Sequence, residues 1–254
     1  MKMLKMLAAA AVLAASAGMA HAEIKKVRIG TEGAYPPFNS VDSTGKLVGF
    51  DIDIANALCD KMKVECTFVA QDWDGIIPAL LAKKYDAIVA SMSITDERKQ
   101  KVAFTDPYYL TPGNFIAPKD SKITDITPAG MKGKIIGAQS ATTGATYLED
   151  KYKDSEIKLY PTQDEANADL ASGRLDAVLA DKFVLYEWLE KTDAGKCCAF
   201  VGADLSDVNP DGTGIAVRQE DNELREALNK AIKEIVADGT YKKINDKYFP
   251  FPIN

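Results

Sequence analysis

The 254-residue chain reads as an α/β protein of two similar lobes, each a sheet flanked by helices, with a cleft between them. Two internal echoes and one polar turn predict it. Leu80-Leu81-Ala82-Lys83-Lys84-Tyr85-Asp86-Ala87-Ile88-Val89-Ala90 returns ninety residues later as Leu170-Ala171-Ser172-Gly173-Arg174-Leu175-Asp176-Ala177-Val178-Leu179-Ala180. A shorter echo matches Ile29-Gly30-Thr31-Glu32 with Ile136-Gly137-Ala138-Gln139. The polar turn follows Ala90, where Ser91, Ser93 and Thr95-Asp96-Glu97-Arg98 gather hydroxyls, a helix cap and a guanidinium suited to a carboxylate. In open α/β sheets ligands sit outside the carboxyl ends of the strands, so two such edges face to face make a binding cleft.

Residues 1–22 read as an export leader. Met1-Lys2-Met3-Leu4-Lys5 is basic, residues 6–19 are apolar and alanine-rich, and Ala20-His21-Ala22 is an A-x-A cleavage site before Glu23. Lobe one then runs over 23–110. It holds a strand ending at Thr31, a helix over 51–62 with Ile54, Leu58 and Met62 on one face, and a strand over 64–70. A helix over 75–82 and a short buried strand over 87–90 follow, and Thr95 caps the next helix. Thr111-Pro112-Gly113 is a turn-rich crossing into lobe two, residues 114–205, which carries helices over 143–152 and 182–190. The loop 206–212 crosses back, and 213–254 rejoins lobe one with an amphipathic stretch over 220–236 and a closing helix over 240–248. Two crossings permit a hinge.

Composition narrows the function classes. Losing the leader removes Lys2, Lys5 and the sole histidine, His21, and takes the net charge from −6 to −8. Histidine triads and histidine metal sites are excluded, nothing calls for a cofactor, and the acidic balance argues against nucleic acid. No later run approaches the roughly 18 apolar residues of a membrane span, and no cysteine near the cleavage site offers a lipid anchor. A soluble, exported product of a Gram-negative periplasm is expected. The 46% of apolar residues suffices for two cores.

The chain resembles the periplasmic solute-binding proteins of polar amino-acid ABC importers, most closely the lysine/arginine/ornithine and histidine binders. The carriers are Arg28-Ile29-Gly30-Thr31-Glu32-Gly33-Ala34-Tyr35-Pro36-Pro37-Phe38, Gly49-Phe50-Asp51-Ile52-Asp53-Ile54, Ser91 to Arg98, Asp211-Gly212-Thr213-Gly214 and Asp238-Gly239-Thr240-Tyr241. The resemblance implies the two-lobed periplasmic binding protein fold, with residues 220–248 packed on lobe one, a monomer, and an inner-membrane permease as partner. It also implies a bridge between Cys59 and Cys66, which the oxidising setting favours and which would add about 2–3 kcal/mol. Cys197 and Cys198 are adjacent, with reduced, vicinally bonded and intermolecular states all open.

An α-amino acid needs a cation for its carboxylate and an anion for its ammonium. Arg98 and Asp181 supply them, one from each lobe, with the backbone of Ser93 and Thr143 around the carboxylate and the hydroxyls of Ser91 and Ser93 near the ammonium. Asp181 also suits the cap of the helix that follows it. Isolated aromatics such as Tyr35 and Trp73 are more often plain core. In the family, aromatics at these two places flank the ligand side chain, with an acid beyond them. Here that acid is Glu32, where relatives usually carry Asp. Ala90 replaces a frequent Ser, and Gln139 replaces an apolar residue.

The expected ligand is a cationic L-amino acid, arginine ahead of lysine, ornithine and histidine. An opine such as octopine or nopaline is the alternative, opposed by Asp181, which would repel a second carboxylate; a polar neutral amino acid comes third. Enzymes that dehydrate cyclic acids share the fold, but catalysis needs a poised acid or base in the cleft, and Arg98 with Asp181 explains the site without one. A sensor role differs from transport by partner alone.

Overall fold

A computed structural model describes residues 24–253; the leader expected over 1–22 lies outside them. Along the chain come β1 (Lys26–Thr31), the short strands β2 (Ala34–Tyr35), β3 (Asn39–Val41) and β4 (Leu47–Val48), α1 (Phe50–Met62), β5 (Glu65–Ala70), α2 (Ile76–Leu81), β6 (Ala87–Ile88), α3 (Asp96–Lys99) and β7 (Ala103–Phe104). Then follow β8 (Gly113–Pro118), β9 (Ile135–Gln139), α4 (Thr143–Lys151), β10 (Glu156–Tyr160), α5 (Gln163–Ala171), β11 (Ala177–Asp181), α6 (Lys182–Lys191) and β12 (Cys198–Leu205). The chain closes with β13 (Ala216–Val217), α7 (Asn222–Ala237) and α8 (Thr240–Tyr248).

Two five-stranded sheets organise these elements, in the orders β5-β1-β6-β13-β7 and β10-β9-β11-β8-β12. In each, three strands pair in parallel, as the strand-helix alternation predicts, and two more are added through antiparallel pairings, only β13 in the first sheet and β8 in the second running against the rest. The sheets are therefore mixed. Strand β13, two residues long, carries no periodicity by which the sequence could announce it. Each sheet is covered on both faces. Phe50, Ile54 and Leu58 of α1 meet Leu228 and Ile235 of α7 on one side of the first sheet, and Ile76, Leu80 and Tyr85 pack on the other. Phe115, Ile136 and Leu148 fill one side of the second, with Leu170, Leu185 and Trp188 opposite.

The echoes have a mechanical cause. A Cβ on Gly30 would lie 2.5 Å from the Tyr85 ring, and one on Gly137 would lie 2.5 Å from Leu175 Cδ1. Glycine lets the residue before the next strand press onto the backbone of its neighbour. The aspartate after that residue ties the same joint: the Arg28 amide donates to Asp86 at 3.0 Å and the Ile135 amide to Asp176 at 2.8 Å. The same wiring, used twice, brings β6 and β11 to equivalent places.

Local departures are small. The strand expected over 87–90 is paired at Ala87 and Ile88, although Val89 and Ala90 are also buried. The helix expected from 75 is preceded by a 3-10 turn, Trp73–Gly75. Cys59 and Cys66 are bridged, Cα atoms 6.1 Å apart, fastening α1 to β5. Of the open states of Cys197 and Cys198, the structure holds the vicinal disulfide. Among the described residues no helix is long and apolar enough to cross a membrane, and no cluster of potential metal ligands occurs.

Candidate functional site

The carboxyl ends of β1, β6, β9 and β11 converge on a cavity between the two sheets. Glu32, Tyr35, Trp73, Ser91, Ser93, Arg98, Gln139, Thr143 and Asp181 all line it. The nine residues singled out from sequence are thus brought together. Thr111, Thr142, Gln163 and Asn209 also line it and were not anticipated.

Arg98 stands in the short helix α3, whose cap is the predicted one: the Thr95 hydroxyl accepts from the Arg98 amide at 3.2 Å. Its guanidinium donates from Nη1 to the Ser93 carbonyl at 2.8 Å and from Nη2 to the Ala141 carbonyl at 2.9 Å, reaching from one sheet's loops to the other's. Two of five donors are used, so a fork remains for a carboxylate. The guanidinium carbon lies 5.2 Å from the Trp73 ring centroid, an attractive cation–π arrangement. Burial lowers its proton affinity to about 10, so it stays charged at neutral pH. Thr143 opens α4, where helix geometry leaves amides unpaired, while Thr142 caps that helix by accepting from Ala145 N. The Ser93 hydroxyl faces Thr143 Oγ1 at 3.5 Å.

Asp181 ends β11 and begins α6. One oxygen caps the helix, accepting from Phe183 N at 2.8 Å and Val184 N at 3.4 Å, and the other accepts from the Thr111 hydroxyl. The cap and the cavity position coexist in one side chain. Burial pushes its carboxyl up to about 6, against the pull of those donors. Ser91, at φ +53° in the left-handed region disfavoured for serine, donates its hydroxyl to Asp51 at 3.0 Å. Asp51 is fully buried behind it. Burial raises its carboxyl, and Tyr108 (2.6 Å), Asn39 (3.0 Å) and Ser91 counter by donating to it. The sequence marked Asp51 as part of a motif without a role; a charged residue between buried Phe50 and Ile52 was the available signal.

The far wall is acidic. Glu32 accepts from Gln139 Nε2 at 2.6 Å, and the same Gln139 nitrogen donates to the Pro161 carbonyl at 3.1 Å. Burial raises the Glu32 carboxyl to about 7; Gln139 lowers it, and the charges of Asp164, Asp72 and Asp74 push it further up. Tyr35 packs beside Phe38, ring centroids 6.4 Å apart. Trp73 Nε1 donates to Ala141 O at 3.2 Å, and Ser140 donates to Asp74 at 2.8 Å. Together with the Arg98–Ala141 and Gln139–Glu32 bonds, these contacts cross from one lobe to the other.

Two mixed α/β lobes with one cation and two acids enclosed between them define a protein built to clasp a small zwitterion. The chain belongs to the bacterial extracellular solute-binding proteins, family 3, whose family model matches residues 27–251. It is 48% identical over 233 residues to an L-arginine-binding protein of Pseudomonas aeruginosa, covering 90% of each chain. It is 45% identical over 231 residues to the lysine/arginine/ornithine-binding periplasmic protein of Escherichia coli, covering 89% of this chain and 88% of that one. The fold matches an ancestral arginine-binding protein bound to arginine with a TM-score of 0.83 at 38% identity, over 90% of this chain and 100% of the other.

Proposed function

We propose that this protein is the periplasmic component of an amino-acid ABC importer, capturing a cationic L-amino acid, arginine foremost, and delivering it to an inner-membrane permease. The carrying observation is the charge layout of the cavity: Arg98 for the α-carboxylate, Asp181 with Ser91 for the α-ammonium, and Glu32 left over at the far wall. A third ligand charge, positive and at the end of a stem, completes that layout. The additional acids Asp72, Asp74 and Asp164 near Glu32 deepen the negative field there. The relatives' names point to the same ligand class.

Closure about the crossings at 111–113 and 206–212 would couple capture to delivery, because the acceptors and donors for the ligand come from both lobes. Asn209 bridges these crossings, donating to the Thr111 carbonyl at 3.4 Å. The reading is one of binding without turnover. Each acid has a role in holding a charge, and the relatives are binding proteins.

The test is thermal stabilisation of protein stripped of ligand through unfolding and refolding, against arginine, lysine, ornithine, histidine, glutamine and octopine. A ligand at 100 times its dissociation constant adds about 2.7 kcal/mol. Stabilisation by arginine is expected. Stabilisation by glutamine or octopine with none by arginine, lysine or ornithine would overturn the cationic assignment.

A further inference from the structure

Helix α6 opens with the apolar run Phe183-Val184-Leu185 straight after Asp181 and Lys182. Phe183 and Leu185 lie about 200° apart around the helix axis, on opposed sides. The structure divides this first turn between the lobes. Leu185 and, one turn on, Trp188 belong to the core of the second sheet, with Leu170 and Val178. Val184, 3% exposed, belongs to the core of the first sheet, and half-buried Phe183 packs against that same core; among the described residues these two alone enter it from the second lobe. The seat of Phe183 is the C-terminal segment. Its ring centroid lies 5.6 Å from that of Phe249 and 5.0 Å from that of Phe251. Phe249 is in turn buried against Phe50 and Phe38, with ring centroids 5.4 and 5.5 Å away. Asn245 pins the segment by donating to the Phe251 carbonyl at 2.9 Å and accepting from the Ile253 amide at 3.1 Å. The Ile253 carbonyl accepts from Leu110 N at 2.9 Å, immediately before the first crossing.

We propose that Phe183 and Val184, seated against the first lobe and its C-terminal segment 249–253, form a third, non-covalent joint between the lobes beside the two chain crossings, and that Phe183 is thereby a positioning residue for Asp181. This rests on the reading of Asp181 as the acceptor for the α-ammonium. The amides of Phe183 and Val184 are the two that one Asp181 oxygen accepts, so the place where the joint seats is the place from which the carboxylate is aimed. The other oxygen accepts from Thr111, in the first crossing. Three of about four lone-pair sites are spent on placing the group, which leaves one for a ligand. A group beside the pivot travels least when two bodies turn about it. Asp181 ends a strand of the second sheet, yet the joint keeps it at the cavity with Ser91 of the first lobe, so the ammonium site is in place before the lobes close.

The experiment is isothermal titration of ligand-stripped protein with L-arginine, carried to millimolar ligand, for the parent, Phe183→Ala, Phe183→Leu, Phe251→Ala, Asp181→Asn and the double variant Phe183→Ala/Asp181→Asn. Phe183→Ala empties the seat and should weaken arginine about tenfold; Phe183→Leu refills it with an apolar side chain and should return to within about threefold of the parent. Phe251→Ala opens the socket from the first lobe without touching α6 and should weaken arginine about threefold. In the Asp181→Asn background, Phe183→Ala should change the affinity by less than about twofold, because the charge it aims is gone. An undiminished loss in that background would make Phe183 a packing residue and overturn the inference, as would arginine affinity equal to the parent's in Phe183→Ala or Phe251→Ala. A parent that binds no arginine, or an Asp181→Asn variant that binds it as tightly as the parent, would instead overturn the reading of the site, and this inference with it. Melting temperatures of the ligand-free variants report whether each folds. Phe251 is 41% exposed, so Phe251→Ala together with the Phe183→Leu rescue decides the matter if Phe183→Ala does not fold or Asp181→Asn binds too weakly to titrate.

Discussion

Glu32→Gln separates the cost of a buried acid from its use. Burial holds the Glu32 carboxyl at about 7, against an ordinary 4.5. The folded protein therefore binds this proton more readily than the unfolded chain between those values, and stability falls as pH rises through the window. Above it, the empty protein carries the whole penalty. The shift corresponds to about 3 kcal/mol, which residual solvent contact and relaxation reduce to about 1–2 kcal/mol. At about 2–4 °C per kcal/mol for a chain of this size, ligand-free Glu32→Gln should melt about 2–8 °C above the parent at pH 8 and level with it near pH 4. With arginine present the sign reverses. A guanidinium buried without its counter-ion loses about 3–5 kcal/mol, or roughly 10²- to 10⁴-fold in Kd. Differential scanning fluorimetry at both pH values and titration calorimetry at pH 8 read the two effects. A variant that melts no higher than the parent at pH 8, or that binds arginine within fivefold of it, refutes the reasoning.

Arg98→Ala should abolish measurable arginine binding, since two charge-assisted hydrogen bonds to the ligand at about 1.5–3 kcal/mol each are removed; Arg98→Lys, which keeps the charge and loses the fork, should fall between, and calorimetry giving equal Kd values for the parent and Arg98→Ala would sink the carboxylate assignment. Gly30→Ala places a methyl 2.5 Å from the Tyr85 ring, which is anchored by its hydroxyl to the Ile76 carbonyl and cannot retreat. The expected loss is about 1–3 kcal/mol, seen as a lower melting temperature, and a melting temperature equal to the parent's would show that the joint yields.

Much of the architecture was legible because it is written twice. Gly30 with Tyr85 and Asp86 performs the same joint as Gly137 with Leu175 and Asp176, so the repetition of residue types carried the repetition of structure. The convergence of Ser91, Arg98 and Asp181 was legible for a related reason: each follows the carboxyl end of a strand, and the strands were recognisable. Other features had no local signature. Gln163 sits in a capping box, Thr162 with Glu165, and its sequence context speaks of helix initiation while its cavity position depends on the opposite lobe. Ala141 reads as a small loop residue, yet its carbonyl, presented at φ +53°, takes donors from both Trp73 and Arg98. In the first sheet β7 and β13 escaped because each is two residues long, and a pair of residues has no period to read.

The placement of β13 between β6 and β7 has a consequence for the order in which the molecule can be assembled. The second sheet is drawn from one uninterrupted segment, β8 to β12, and is complete once Leu205 is available. The first sheet is not. Strand β7 joins it only through β13, so a chain still short of Val217 has β7 detached and the inner edge of β6 bare. A polypeptide delivered from its amino end must therefore hold its first half open while its second half finishes, and the last part of the chain acts as the keystone of the part made first.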